Sequence, residues 1–492
     1  MAPWIKYRSE QGYSVDVIVE PFGTGTVTPQ RIKERIAEVH RRTPLCALLL
    51  VGRSVPAPLL PCRIIGQFGT EQELASDDWY TDLDGDGLPN FPVGRFSVEL
   101  DKQLDTVIGK TIQYESLPAE TWCKRIQLVA GVGNFSPMLD GVIESSARYI
   151  FSEAFTPSYD ISLLHADWQS SFCPFPSDFQ AELRRTFDAG SLFWVYLGHG
   201  KHRDIEPLYL PQGYYVPLTL LEPSKPQGLP PTIALLFCCY GGCLDNDTPS
   251  IAEELVLTQN AVAAVSPSRT AMPYGMSVLA VEMLQTFVRY QNAGKPLTLG
   301  QLLHESKYRT LNPVRNAAAA DGKRKNRPVR ETVESLAKMF DPNPQYLREQ
   351  LEEHTAMFHL FGDPLLRLPI PQRLEWQCAK QIRSGQWLHI SGRTANDCNG
   401  VDLELTLPLY RISLRSAERQ DFHNDTQSQQ RYNEEYVKAN RLVLQRYHLP
   451  CKDGVFDADI ALPGGLSGEY ILRGFVQQKT GFSVGSCVLK SR

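Results

Sequence analysis

Nowhere does the chain hold an uninterrupted apolar run near the ~18–20 residues that a membrane helix needs. Its first residues, MAPWIKYRSEQGY, also lack the basic-then-apolar layout of a secretory leader. A membrane span is therefore not expected. Charge of one sign is scarce as well: 50 Lys and Arg against 55 Asp and Glu leave a net charge of −5, so no extended basic surface marks nucleic acid as a partner. The chain has no internal repeat, and it has no disulfide framework of regular spacing. Its eleven cysteines are odd in number, with several crowded into CCYGGC at 238–243, and read as free thiols. Cys378, Cys398, Cys451 and Cys487 lie in the last quarter and could pair in an oxidising compartment. The location is cytoplasmic if Met1 is the true start, and secreted if a leader and pro-segment precede it.

What is present is enough chain for several cores, since 492 residues exceed the roughly 250–300 at which one core stops growing. Up to about residue 370, short β-branched runs alternate with amphipathic stretches, the pattern of an α/β sheet with crossover helices. Residues 14–19 (SVDVIV) read as a strand. Thr28 caps a helix with Pro29 in its first turn, running to about Arg41, and 46–51 (CALLLV) is the next strand, which together make one βαβ unit. Helices are expected over 102–115, 141–155 and 179–188 and from Ile251, with strands at 126–130, 193–197, 233–237 and 261–265. The segment 311–330 is polar and basic and reads as an exposed loop. From about Gln372 the rhythm becomes short alternating segments separated by turns, as in a β-sandwich of roughly 110–120 residues. The division expected is an N-terminal α/β subdomain over 1–118, a second α/β subdomain over 119–370 and a sandwich over 371–492.

Two apolar strands end in reactive side chains: FWVYLGHGKH offers His199, and IALLFCCYGGC offers Cys239. Sites in open α/β sheets form at the carboxyl ends of strands, where a Gly-flanked His and a Gly-flanked Cys can face one another. Cysteine chemistry needs a thiolate, which a nearby imidazole favours and whose leaving group it later protonates. Gly200 and Gly241 permit tight turns, and the backbone N–H groups of Gly200 and Cys239 are candidates for an oxyanion hole. Adjacent strand residues point to opposite faces, so only one of Cys238 and Cys239 can meet His199, and Cys239 is preferred. Taken singly, a strand-end Cys is more often a small buried hydrophobe. The same side chains also draw a zinc site, His199 and His202 with Cys239 and Cys243. In the acidic turn at 82–87, Asp82, Asp84 and Asp86 alternate around glycines like the start of a calcium loop, although Val93 stands where an EF-hand has its closing Glu.

LGHG followed by a strand ending in CCYGG resembles the gingipain-like cysteine peptidases, relatives of the caspases. The segments DLDGDGLPNFPVGRFS at 82–97 and FHLFGDPLLRL at 358–368 resemble that family's acidic turn with its GRFS strand and its closing GDP segment. The resemblance spans roughly residues 1–370. It implies a caspase-like, mostly parallel sheet flanked by helices, followed by a C-terminal immunoglobulin-like β-sandwich. It further implies a cysteine endopeptidase acting on protein or peptide, with Cys239 as nucleophile, His199 as base and acid, and no cofactor required for the chemistry. The family's specificity pocket would fall at Asp140 and Glu144 on one side and 266–275, with Tyr274, on the other. An acid at Asp140 would select Arg or Lys at the cleaved bond, and Glu144 would steady His199. The basic stretch 323–330 would then be a self-cleavage site. MAPWIKYRSEQGY reads as the helix that follows this family's first strand, so either the domain is complete without that strand, or the start is wrong and a strand with any pro-segment or signal lies upstream. A catalytically silent scaffold of the same fold remains the alternative from a different class.

Overall fold

β6 (Thr232–Phe237) and β5 (Phe193–Leu197) are the inner strands on which the candidate site depends. They lie in an eight-stranded sheet with β1 (Leu48–Val51), β2 (Val93–Phe96), β3 (Arg125–Ala130), β4 (Asp160–His165), β7 (Ala261–Pro267) and β8 (Phe358–Phe361). The order across the sheet is β1-β2-β8-β7-β6-β5-β3-β4. Neighbours are parallel except β7 and β8, so two parallel blocks meet along one antiparallel seam. This computed structural model describes residues 1–19, 28–65, 72–131, 157–221, 230–313, 327–340, 343–395, 398, 400–408, 416, 419–479 and 481–491.

Both faces of the sheet are covered, which is why its inner strands are apolar without alternation. Leu235 and Phe237 of β6 enter one core, while Ala234 and Leu236 enter the other with Cys238 just beyond them. The helices begin where the sequence marks them. In α2 (Pro29–Arg42) the Thr28 hydroxyl accepts the Arg31 N–H at 3.3 Å. In α5 (Ile251–Thr258), which follows α1 (Ala2–Glu10), α3 (Asp101–Ser116) and α4 (Phe179–Asp188), Glu253 reaches back to the Ser250 N–H at 2.6 Å. α6 (Pro273–Ala293), α7 (Leu299–Leu311), α8 (Arg327–Phe340) and α9 (Pro344–Met357) complete the helices before the C-terminal strands.

The GRFS and GDP segments meet inside the fold. The Gly362 N–H donates to the Arg95 carbonyl at 2.8 Å, and a Cβ on Gly94 would lie 2.5 Å from the Gly362 oxygen. Arg95 is buried, and its guanidinium grips both oxygens of Asp77 at 2.6 and 2.8 Å. Asp363 anchors α1 through buried Arg8 at 2.7 Å and through the Trp4 indole N–H. These motif residues hold elements together.

Two expectations change. Residues 14–19 form no strand: Val17 and Val19 are 64% and 84% exposed, so the alternating pattern has no sheet to join and the first βαβ unit is absent. The expected loop 311–330 is partly helix, because α8 starts at Arg327 and Arg330 is held by Glu282 at 2.6 Å and Glu334 at 2.7 Å. Its residues 314–326, like the helix expected over 141–155, lie outside the described residues.

The C-terminal part packs two sheets around one core. β9 (Glu375–Cys378), β10 (Trp387–Arg393) and β13 (Val455–Ala461) form the smaller. β11 (Val401–Thr406), β12 (Val443–Leu449), β14 (Gly468–Gln478) and β15 (Gly481–Ser491) dominate the larger. Leu388, Ile390 and Ile460 from one sheet and Leu403, Leu472 and Leu489 from the other share a core. The sequence reading lacked α10 (Thr426–Asn440), whose Tyr436 hydroxyl donates to Glu182 at 2.7 Å. Docking is also ionic: Glu404 meets Lys124 at 3.2 Å and Arg473 at 2.8 Å, and Arg473 pairs with Asp160.

Candidate functional site

The parallel register of β5 and β6 pairs Tyr196 with Leu236 and Leu197 with Phe237, and the Gly198 N–H continues the ladder to the Phe237 carbonyl at 3.3 Å. His199 lies two residues beyond β5 and Cys239 two residues beyond β6, so both leave the carboxyl ends of neighbouring parallel strands. The two loops touch. A Cβ on Gly200 would lie 2.9 Å from the Cys238 Cβ and Sγ and 3.1 Å from the Cys239 carbonyl, so a larger residue would force the loops apart. Immediately after Cys239 the chain reverses at Tyr240, whose φ of 58° is costly for a bulky residue. The turn is held by the Tyr240 N–H to the Arg269 carbonyl at 3.0 Å and the Gly242 N–H to the Pro267 carbonyl at 2.9 Å. Arg269 is itself fixed by Asp245, at 2.6 Å.

The two cysteines part as strand alternation requires. Cys238 is fully buried in one core, where burial pushes its thiol far up. Cys239 is partly exposed on the other face; its sulfur accepts the Ala271 N–H at 3.3 Å and lies 3.9 Å from the Ala271 carbonyl. Burial raises the Cys239 thiol, and the Ala271 amide opposes that rise.

Two side chains the sequence reading passed over frame this site. Glu206, 5% exposed, accepts the His199 N–H at 3.4 Å, while its own N–H and the Tyr196 hydroxyl both bond the His199 carbonyl, at 3.2 and 2.7 Å. A Cβ on Gly131, just past β3, would sit 2.3 Å from Glu206 Oε2, so the carboxylate wedges between two strand ends. Its sequence signal is weak: an acid in a loop that already carries Lys, Arg and Asp. The second is His354 on α9, whose Nε2 accepts the Met272 N–H at 2.7 Å and whose Nδ1 therefore carries a proton, donated to the Gln350 carbonyl at 2.6 Å. Burial pulls its pKa down to about 4. His354 thus holds the segment 271–275 from behind, next to the amide that meets Cys239.

Of the other expected residues, Asp140 and Glu144 lie outside the described residues. Tyr274 sits in the first turn of α6, partly buried against the core, with its hydroxyl pushed up to about 12 by burial and by Glu334. The zinc arrangement does not assemble among the described residues. His202 Nε2 faces the Thr248 carbonyl at 2.8 Å, and Cys243 faces Asp245 at 3.4 Å, away from Cys239. The carboxylates of Asp82, Asp84 and Asp86 do converge, within 4.8 Å of one another. Asp82 accepts the Gly85 N–H at 2.8 Å, Asp86 the Leu88 N–H at 2.9 Å, and Asp84 the Asn90 amide at 2.9 Å. No helix among the described residues is long and apolar enough to cross a membrane.

The chain is similar to known proteins in sequence and in fold. A sequence model of peptidase family C25 matches residues 1–369. Lys-gingipain of Porphyromonas gingivalis (strain ATCC 33277) is 22% identical over 166 residues, covering 31% of this chain and 9% of that protein. Lys-gingipain W83 of the same species is 23% identical over 142 residues, covering 27% of this chain and 8% of its own length. The chain therefore aligns with less than a tenth of the length of these curated relatives. The crystal structure of the Arg-specific cysteine proteinase gingipain R superposes with a TM-score of 0.51 at 16% identity, over 99% of this chain and 94% of that one, a likeness of fold. With a family match that runs through both strand ends and the closing GDP segment, the chain belongs to peptidase family C25 and has the gingipain fold.

Proposed function

We propose that this chain is a cysteine endopeptidase whose nucleophile is Cys239. The observation that carries this reading is the split between the two cysteines: Cys238 is sealed in the core, while Cys239 is partly exposed with an amide on its sulfur and His199 on the adjoining strand end. In the proposed cycle the His199 imidazole takes the Cys239 proton, which burial otherwise holds on the sulfur, and the thiolate attacks the peptide carbonyl. The N–H groups of Gly200 and Cys239 hold the resulting oxyanion. His199 returns the proton to the leaving amine, and water cleaves the thioester.

The names of the relatives specify Lys and Arg, and a basic residue before the cleaved bond is the preference we propose, with Asp140 as its partner. Self-cleavage is proposed at Lys323, Arg324 or Lys325, since Arg330 is tied into α8 and its ion pairs. The hard oxygens of Asp82, Asp84 and Asp86 suit calcium, which would tie the acidic turn and take no part in the chemistry. The test is cleavage of a pooled fluorogenic peptide library with and without calcium. Cleavage after Arg or Lys that disappears in Cys239→Ala is expected, and cleavage that survives this substitution contradicts the reading. Intact mass on incubation, compared between wild type and Cys239→Ala, checks self-cleavage.

A further inference from the structure

The peptidase site leaves unused a pair of thiols in the C-terminal sandwich. Cys378 ends β9 in the smaller sheet, and Cys487 lies on β15 in the larger. Their Sγ atoms are 3.5 Å apart, across the gap between the two sheets. A disulfide needs roughly 2.05 Å, a small closing movement for a side chain at the end of a short strand. The Trp376 indole lies beside both sulfurs and is seated over glycines of the larger sheet: a Cβ on Gly474 or Gly485 would come within 2.8 or 2.7 Å of its ring. The neighbourhood is thus a packed one that sets the two sulfurs against each other.

Chemistry and access fit a reactive pair. Hydrogen bonding from Cys487, aided by Trp376 and Lys380 against the effect of burial, pulls the Cys378 thiol down to about 7, while Cys487 is pushed up. The hydrogen bond between the two sulfurs thus favours ionisation of one of them. Both are partly exposed, and Cys487 lines a cleft of about 920 Å³ at the junction with the catalytic part, with Trp376, Gln291 and Arg393. A tripeptide-sized reagent can enter a cleft of that volume. Cys123, Cys173 and Cys238, by contrast, are sealed in cores that raise their thiols.

We propose that Cys378 and Cys487 form a reversible disulfide that staples the two sheets of the sandwich, with a low-molecular-weight disulfide such as oxidised glutathione as electron acceptor. The Cys378 thiolate attacks one sulfur of the oxidant, forming a mixed disulfide and releasing one glutathione thiolate. Cys487 gives up its proton, attacks the Cys378 sulfur and releases the second glutathione. Two protein thiols are oxidised, one small disulfide is reduced to two thiols, and the protons end on the released thiols. The sequence alone named four cysteines as able to pair; the structure selects this partner for Cys378.

The test is to equilibrate the full chain with excess oxidised glutathione, quench in acid, alkylate in denaturant and map the peptides. Most molecules are expected to carry a Cys378–Cys487 cross-linked peptide, lost on reduction and absent from Cys378→Ser. Alkylation of both residues, or glutathione retained on either, overturns the proposal. The unfolding midpoint supplies a second readout. Oxidation raises it in the wild type and leaves it unmoved in Cys487→Ala; a cross-link without that rise overturns the stapling role. None of these outcomes depends on Cys239, so failure here leaves the peptidase reading standing.

Discussion

The backbone N–H of Ala271 meets the Cys239 sulfur at 3.3 Å, and the next amide along, that of Met272, is held by His354 Nε2 at 2.7 Å. His354→Phe takes away that acceptor and leaves a buried N–H unpaired, at a cost of about 1–3 kcal/mol. The expected result is a fall in kcat/KM of tenfold or more with most of the loss in kcat, while His354→Gln, which keeps an acceptor, recovers part of it. Equal losses in both variants would show that the ring serves packing alone.

Gly200→Ala is expected to lower activity at least tenfold, because its Cβ would meet the Cys238 side chain at 2.9 Å. Adding Cys238→Ala removes the obstructing sulfur and should restore part of the rate. A double variant no better than Gly200→Ala would place the obstruction elsewhere.

Glu206→Gln keeps the shape and removes the charge from the carboxylate that accepts the His199 N–H. We expect kcat to fall while KM changes little, because the hydrogen bond that fixes the His199 backbone is weakened. A change in thermal stability with kcat unmoved would assign Glu206 to the loop's structure only.

Glu404 titrates at about 2, well below its ordinary 4.5, because Arg473 and Lys124 outweigh its burial. A carboxylate whose folded pKa is depressed adds stability above its unfolded pKa and loses it as pH falls through the folded one. His354, at about 4 against 6.5, acts in the same sense: its contribution is full above about 6.5 and fades towards 4. The unfolding midpoint should therefore drop between pH 6.5 and 4 through His354, and below 4.5 through Glu404 as the sandwich loses its ionic dock. In Glu404→Gln the lower part of that drop is missing, and stability at neutral pH is reduced by about 2–3 kcal/mol.

Calcium should raise the unfolding midpoint of the wild type, and a chelator should reverse the rise. Asp84→Asn with Asp86→Asn removes two of the three converging carboxylates and should abolish the shift. A rise that persists in this variant would place the ion elsewhere.

Much of this was legible before the structure. The strands ending at Leu197 and Phe237 are apolar because both their faces are covered, and Thr28 with Pro29 marks a helix start through the N–H groups it leaves to be capped. Alternation says that Cys238 and Cys239 face opposite ways, and the structure buries the first while leaving the second partly exposed. The misses have physical causes. Residues 14–19 alternate like a strand, but alternation says nothing about whether an edge is free to pair. α10 is polar on most of its surface and buries Tyr432 and Tyr436, too few for the period to stand out. Glu206 acts through a backbone amide across its own loop and His354 through one 82 residues away, relationships that no spacing rule encodes.

The most direct test of the central claim is to label the wild-type chain with a peptidyl acyloxymethyl ketone ending in Arg or Lys and to map the adduct by mass spectrometry. The account predicts one adduct, on Cys239, with Cys238 untouched and labelling lost in His199→Ala. An adduct on Cys238, or labelling of Cys239 that is indifferent to His199, would contradict it.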